Sequence, residues 1–445
     1  MTKSSLPDAM VPAIEWVNHA SFVASIGQMN LICDPWLEGT AFKDGWELLS
    51  PTTFAYDDFE RITHLWISHQ HPDHFAPTNL QKIPAGCRSR MRVFYRRDHD
   101  KLVVSWLRAN GFANVNELVP DKWTEIEPGV WFLCGVHSDD SWLAIRSPWG
   151  TLLNVNDCVL KRAADIDRIA ALVGSVDVLF TQFSYAQWEG NPEEREFRKL
   201  QALEKLDRIR LQDRILSPRV IVPFASFVYF CNEENFFLND SMNWVGDVAR
   251  FIEKDLGKKA IVLYPGERWT CDEKPDWRPA ADRYARDASV RLAQGPTRAP
   301  APVPADELEA QAARFGERLR RKNPLVTMLV REKSTLFTTD GQRGYNLSVG
   351  GFHPSPSVRP ENADIVTASE NVSYAFRTPW GGNTLHVSGR FVSRVPGGHL
   401  RFFKLLHKLH HYNRTPIDAD WLAQQCRRVA RGIVRRITRA LTGAA

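Results

Sequence analysis

Short apolar runs separated by polar turns fill the chain from Ile14 to about Gly266. "IEWVNHASFVAS" and "MNLICDPW" read as successive strands. "THLWISHQH", "RVFYRR", "VWFLCGVHS", "WLAIRSPWGTLLNVND", "VDVLFTQF" and "RVIVPFAS" continue the series. Helical spacing predicts helices over 76–82, 99–111, 161–173 and 193–214. Such a mixture predicts an α/β domain with sheets inside and helices outside. The pattern breaks over 277–304, where "QGPTRAPAPVPADE" reads as a linker or extended strap. A helix is predicted over 306–322, acidic at its start and basic at its end, as the helix dipole favours. "LVTMLVREKSTLFTTD", "NLSVGG", "ADIVTASENVSYAFRT" and "NTLHVSGRFVSRV" then read as strands of a smaller domain. The expected organisation is a first domain over 1–276, a linker over 277–304, a β-rich domain over 305–413 and a basic tail over 414–445.

Composition narrows the setting without changing this picture. With 445 residues, 43% hydrophobic and 24% charged, the chain can bury a sizeable core in two domains. A formal charge of +5 favours anionic partners weakly and does not call for nucleic acid. No window has the 18 or more apolar residues of a membrane span, and the N-terminus lacks the apolar core of a secretory signal. Seven cysteines without framework spacing fit a reduced, cytoplasmic protein. The tail "CRRVARGIVRRITRALTGAA" reads as a solvated arginine face with Val429, Ile433 and Ile437 packed inward. Its second reading is a peripheral contact with the inner membrane face.

Candidate chemistry is concentrated in "ISHQHPDHF". His69 and His71, two apart at a strand end, share a side, and the turn at Pro72 brings Asp73 and His74 to a neighbouring point. Imidazole and carboxylate donors without thiolate suit a catalytic zinc, iron or manganese site. His137, ending the run "VWFLCGV", and Asp157, ending "LLNVN" and suited to bridging two ions, are candidate further ligands, though the histidine alone reads equally well as a turn residue. Asp34 in "ICDPW" is placed behind the ligands, where it would orient an imidazole, and His19 is placed with it. "TQFSYAQWEGN" offers Gln182, Ser184, Tyr185 and Trp188 either to a substrate pocket or to a buried turn. His407, His410 and His411 have helical spacing and read as an exposed helix face, and His353 as a surface loop residue.

HxHxDH followed by a later histidine and a strand-terminal aspartate resembles the metallo-β-lactamase fold. A finer resemblance covers roughly residues 14–240. "WVNHASF", "DPWLEGTAFKDGWELL", "ISHQHPDH", "GVHSDDSW", "LLNVNDC" and "PFASFVYF" are similar to the metallo-β-lactamase-like part of the CMP-N-acetylneuraminate hydroxylase family. The resemblance implies an αββα sandwich with a smaller β-rich C-terminal domain. It implies His69, His71 and His137 on one metal, Asp73 and His74 on the other, and Asp157 between them. Two departures stand out. Aligning "PFA" puts Asn232, a weaker and neutral oxygen donor, where the fold has one more histidine, with Glu233 or Glu234 as its candidate substitutes. The chain has no Cys-x-His pair, so no Rieske cluster is expected.

Three functions remain open at this level. The first is a hydrolase of a small anionic metabolite, using one or two divalent ions, zinc or iron, with Asp73 or Asp157 orienting water or taking its proton. The second is an iron-dependent hydroxylase of a CMP-sialic-acid-like nucleotide sugar, served by a separate reductase. The third is a metal-stabilised binding protein without catalysis. The C-terminal domain is loosely similar to sterol-carrier-like modules, and packing or homodimer formation is its expected role.

Overall fold

The computed structural model describes residues 10–417. The described residues form two compact units, one from residues 10–300 together with Val387–Arg390, the other from Ala301–His386 and residues 391–417.

Side-chain alternation along the strands builds the first unit. One seven-stranded sheet runs in the order Arg268–Thr270, Ala13–Asn18, Ser21–Ile26, Met29–Cys33, His64–Trp66, Arg92–Arg96, Asn114–Leu118. The other runs Lys259–Ala260, Val220–Phe224, Val178–Gln182, Thr151–Asn156, Asp140–Arg146, Val130–His137, Thr124–Glu127. Strands with apolar residues on both faces call for layers on both sides. Between the sheets, Phe22 stacks on Phe180 with ring centroids 4.6 Å apart, within one large cluster that also holds Trp16, Phe132, Leu143 and Phe224. On the outer face of the second sheet, Leu133, Ala144, Leu153 and Leu179 meet Ile166, Ile169 and Val173 of the helix Ala163–Val173. Two facing sheets with helices outside make the metallo-β-lactamase-like αββα sandwich.

Each sheet changes from antiparallel to parallel pairing at one strand, and the site is built at these two changes. Met29–Cys33 pairs antiparallel with Ser21–Ile26 but parallel with His64–Trp66, with Cys33 opposite Trp66. The residues that follow, Asp34 and the segment from Ile67, therefore leave the sheet side by side. In the second sheet Thr151–Asn156 pairs parallel with Val178–Gln182, with Asn156 opposite Thr181. Asp157 and Gln182 leave together in the same way. Crevices at the carboxyl ends of strands around such a change are where open α/β sheets bind ligands.

Residues 277–304 differ from the linker expected there. Arg278–Gln294 is a helix, with Pro279 in its first turn and Gly295 ending it at φ +76°, that buries Ala280, Ala281, Tyr284 and Ala288 in the first unit's core. Small alanines on one stripe let the helix lie close, so its core face has little of the apolar bulk that marks a buried helix in sequence. In the second unit a four-stranded sheet, Gly351–Pro354, Arg343–Ser348, Lys333–Thr338, Ile365–Thr367, is accompanied by the helices Ala305–Lys322, Ser369–Arg377, Gly381–Ser388 and Gly398–Arg414. Two of these helices fall in runs read as strands. In Ser369–Arg377 the buried Val372, Ala375 and Phe376 follow the three-and-four spacing of a helix, which outweighs the strand preference of valine and phenylalanine. The basic tail lies outside the described residues from 418 onward. Among the described residues no helix is long and apolar enough to cross a membrane.

Candidate metal centre

Three strand-end residues of the site hold left-handed backbone without being glycine: His19 at φ 38°, Asp34 at φ 41° and Asn156 at φ 49°. Such conformations cost about 1–3 kcal/mol each and persist only where the surroundings fix them. Here they turn three side chains inward at once.

Asp34 is the hub. It is fully buried, and its Oδ1 accepts from Ser68 N (2.7 Å) while Oδ2 accepts from Ser68 Oγ (2.7 Å), His74 Nδ1 (2.9 Å) and Asn156 Nδ2 (2.8 Å). An ionised carboxylate only accepts, so His74 carries a proton on Nδ1, and Nε2 is the nitrogen it can offer to a cation. The Ser68 hydroxyl spends its hydrogen on Asp34, so it accepts from His69 Nδ1 at 2.9 Å, and His69 presents Nε2 as a lone pair. One aspartate thereby fixes two imidazole tautomers, and both free nitrogens face inward.

What they face is an unusual concentration of donors. His74 Nε2 lies 3.2 Å from Asp73 Oδ2 and 3.1 Å from Asp157 Oδ2, and His69 Nε2 lies 2.9 Å from His71 Nδ1. Ligand-type atoms of His69, His71 and Asp157 all fall within 4.8 Å of one another, as do those of His19, Asp73 and His74. Asp73 Oδ1 is buried without a hydrogen-bond partner among the described residues. An unpaired buried carboxylate oxygen beside inward imidazole nitrogens is costly unless a cation takes both, so the residues present fit a metal. Asp157 is fixed from the far side by Gln182 Nε2 on Oδ1, at 3.1 Å.

His19 belongs to the group by distance but not by chemistry. Phe227 N–H donates to His19 Nδ1 at 3.2 Å, so the proton of the neutral ring sits on Nε2 and points at Asp73 Oδ2, 3.2 Å away. His19 thus acts as a hydrogen-bond donor to Asp73 and presents no lone pair to the cluster.

Electrostatics agree. Burial works against charge on His74, but Asp73, Asp157 and Asp34 outweigh it and raise its pKa well above the ordinary value. Burial also opposes ionisation of Asp73, yet His74 and the His19 hydrogen bond hold its carboxyl well below the usual range. His69, through burial and the neighbouring His74, is pushed well below its ordinary value, and His71 is lowered by burial. The carboxylates thus favour one positive charge at His74 Nε2, which a bound cation can supply in place of a proton, while His69 and His71 are held neutral, the form in which an imidazole can ligate a metal.

His69, His71, Asp73, His74 and Asp157 come together, with Asp34, His19 and Gln182 behind them. His137 does not join them. Its Nε2 is hydrogen-bonded to Val159 O at 3.0 Å. Alternation explains the placement: Phe132 and Cys134 face the core between the sheets, so Leu133, Gly135 and His137 face the helix layer. Asp140, paired with His137 across the hairpin, nonetheless reaches the cluster at the strand end, with Oδ1 3.5 Å from His69 Nε2, and burial together with Asp157 raises its pKa well above the carboxylate range. Asp140 escaped the sequence reading, as did Ser68 and Asn156; the acidic pair following His137 in "HSDD" was its one signal. Asn232 is fully buried and makes no hydrogen bond to the cluster, its Oδ1 accepting from Glu234 N at 3.1 Å. Glu234 itself is paired with Arg390 at 2.8 Å. Ser184 Oγ accepts from Asn243 N, and Tyr185 OH donates to Leu238 O, so both serve a buried turn; Trp188 is nine-tenths buried. His353 is exposed on the strand Gly351–Pro354.

Fold and site together define a metallo-β-lactamase-like domain. Residues 13–135 match the model of a beta-lactamase superfamily domain. The chain is similar to the cytidine monophosphate-N-acetylneuraminic acid hydroxylase of Danio rerio, 26% identical over 231 residues, which are 48% of this chain and 38% of that protein. The matched stretch thus spans less than half of that relative's length. Among solved structures, CmlA, a diiron β-hydroxylase from Streptomyces venezuelae, aligns at a TM-score of 0.43 and 19% identity over 58% of this chain and 54% of its own. An isothiocyanate hydrolase from Delia radicum gut bacteria aligns at a TM-score of 0.42 and 14% identity, over 58% of this chain and 98% of its own.

Proposed function

We propose that the chain is a metal-dependent enzyme that hydrolyses an ester or related bond of a small anionic metabolite. The observation that carries this reading is the pair of inward Nε2 atoms, on His69 and His74, set against the buried carboxylates of Asp73 and Asp157. His69, His71 and Asp157 would hold one cation, with Asp140 in the position expected of His137, and Asp73, His74 and the shared Asp157 would hold a second. A divalent cation there supplies Lewis acidity and lowers the pKa of water towards about 7.

The protein's own groups divide the remaining work by exposure. The Asp73 side chain is 1% exposed and is committed to His19 and His74, so it serves as a ligand. Asp157 is 15% exposed, with Gln182 steadying one oxygen, and is the carboxylate able to orient an entering water and take its proton. The test is turnover of a panel of phosphate and carboxylate esters by wild type and by His69→Ala. Metal-dependent turnover abolished in the variant supports hydrolysis; equal turnover by both removes it.

A second reading, hydroxylation of a nucleotide sugar with electrons from a separate reductase, is favoured by one finding, the resemblance to a hydroxylase over 231 residues. Iron in the purified protein together with reductant-dependent oxygen uptake would select it over hydrolysis.

A further inference from the structure

Phe42, Lys43 and Asp44 hold left-handed backbone one after another, at φ 51°, 53° and 58°. In this region the Cβ of an L-residue crowds the next carbonyl oxygen, so such residues occur singly unless the surroundings impose a run. Part of the restraint is local: Thr40 Oγ1 donates to Asp44 Oδ1 at 2.7 Å and Gly45 N to Ala41 O at 3.1 Å. More of it comes from far along the chain. Gly45 O accepts from Cys231 N and from Asn235 Nδ2, each at 3.0 Å.

Arg390 adds a hold from further still. The stretch Val387–Arg390 belongs to the first unit, and Arg390 is fully buried in it. Its Nη1 donates to Lys43 O, the carbonyl in the middle of the left-handed run, at 2.5 Å. Its Nε and Nη2 both meet Glu234 Oε2, at 2.9 and 2.8 Å, which fixes the guanidinium. Asn235 Nδ2, besides holding Gly45, donates to Ser388 O at 2.6 Å. A Cβ on Gly45 would stand 2.9 Å from Ser388 Cβ, so glycine is what lets the stretch lie against the turn.

What this turn carries is Phe42. It is 1% exposed, and its ring meets the His71 imidazole edge-on, with centroids 5.6 Å apart and planes at 67°. It also packs on Trp46, with 4.3 Å between centroids. A ring packed against an imidazole in this way restricts how the imidazole can turn. Asp34 and Ser68 orient His74 and His69 through hydrogen bonds, and Phe42 bears on His71 through its ring.

We infer that Arg390, 347 residues from Lys43 in sequence, is a positioning residue of the metal centre: it locks the left-handed turn Phe42–Asp44 and so seats Phe42 against the His71 imidazole. The inference rests on His71 being a metal ligand, as proposed above, but not on the reaction. Its test is cobalt(II) binding by the full chain, followed by titration and by the visible absorption of the bound ion, which reports ligand geometry. Arg390→Met and Phe42→Leu should each weaken cobalt binding about tenfold and displace the absorption bands in the same way. The double variant should be little weaker than either single one, because both act through the same contact with His71. Arg390→Lys keeps the charge but cannot reach Lys43 O and Glu234 with a planar fork; it should displace the bands likewise, and it carries the test should Arg390→Met not fold. Arg198→Met removes another fully buried arginine of this unit and should leave the bands unchanged. A folded Arg390 variant with wild-type affinity and bands overturns the positioning role, as does an additive double variant or an equal displacement in Arg198→Met. Wild type that binds no cobalt overturns the metal reading, and the positioning role with it.

Discussion

Asp34→Asn is the substitution that separates a site organised by tautomers from a mere cluster of polar residues. Asparagine has nearly the shape of aspartate, so the pocket is neither emptied nor crowded. Its amide nitrogen must replace one carboxylate oxygen. On the Oδ2 side it would face the three donors Ser68 Oγ, His74 Nδ1 and Asn156 Nδ2; on the Oδ1 side it would face only Ser68 N. The second orientation loses least: one charge-assisted hydrogen bond, about 1.5–3 kcal/mol, with His74 Nδ1 now held by a neutral carbonyl. Because that carbonyl anchors the ligating imidazole less firmly, metal affinity should fall by about 10–100-fold, or about 1.4–2.8 kcal/mol. The assay is competition against a chromophoric chelator, with a thermal melt to establish that the variant is folded. A folded Asp34→Asn protein with wild-type affinity would refute the tautomer argument. A loss as complete as that of His74→Ala would refute it as well, since Asp34 would then be acting as a ligand.

Asp140→Asn should lower metal content while His137→Ala leaves it unchanged, and elemental analysis showing the reverse would restore His137 as the ligand. His19→Gln keeps an N–H where imidazole Nε2 stood, so it should retain metal occupancy within about threefold; loss comparable to that of a ligand variant would make His19 a ligand. In the C-terminal unit, burial first, helped by the neighbouring His407, lowers His386 and His410 to about 3, against a smaller upward pull of the Pro379 carbonyl on His410. With folded values below the unfolded value of about 6.5, their contribution is fully present above pH 6.5 and is lost as pH falls towards 3. His386→Phe, which keeps the stack on Phe403, should move the acid-unfolding midpoint seen by circular dichroism to lower pH; no movement would mean that other groups govern acid unfolding.

The donors of the centre were legible because their spacing is local: one strand end carries His69 and His71, and one turn carries Asp73 and His74. Asp34 and Asp157 were legible because each follows an apolar run that had to be a strand. What sequence spacing leaves undetermined is which face of a strand is the inner one. Alternation places His137 with Leu133 on the face that packs against the helix Ala163–Val173, and register places its cross-strand partner Asp140 on that same face, so no pattern announces that Asp140 reaches His69 at the hairpin end. The roles of Ser68 and Asn156 depend on register between strands far apart in sequence, Cys33 beside Trp66 and Asn156 beside Thr181, so no local pattern announces them. The helix Arg278–Gln294 was missed because alanines, not large apolar residues, line its buried stripe, and Ser369–Arg377 because its valine, tyrosine and phenylalanine also suit strands.

The central claim is that this cluster holds metal, and counting ions tests it most directly. Elemental analysis of protein purified without chelator or added metal should find at least one transition-metal ion per chain. The same analysis of a folded His69→Ala/His71→Ala variant should find that ion, or both where two are bound, reduced to a small fraction of a chain equivalent. Metal-free wild type, or a double variant with undiminished content, would contradict the account.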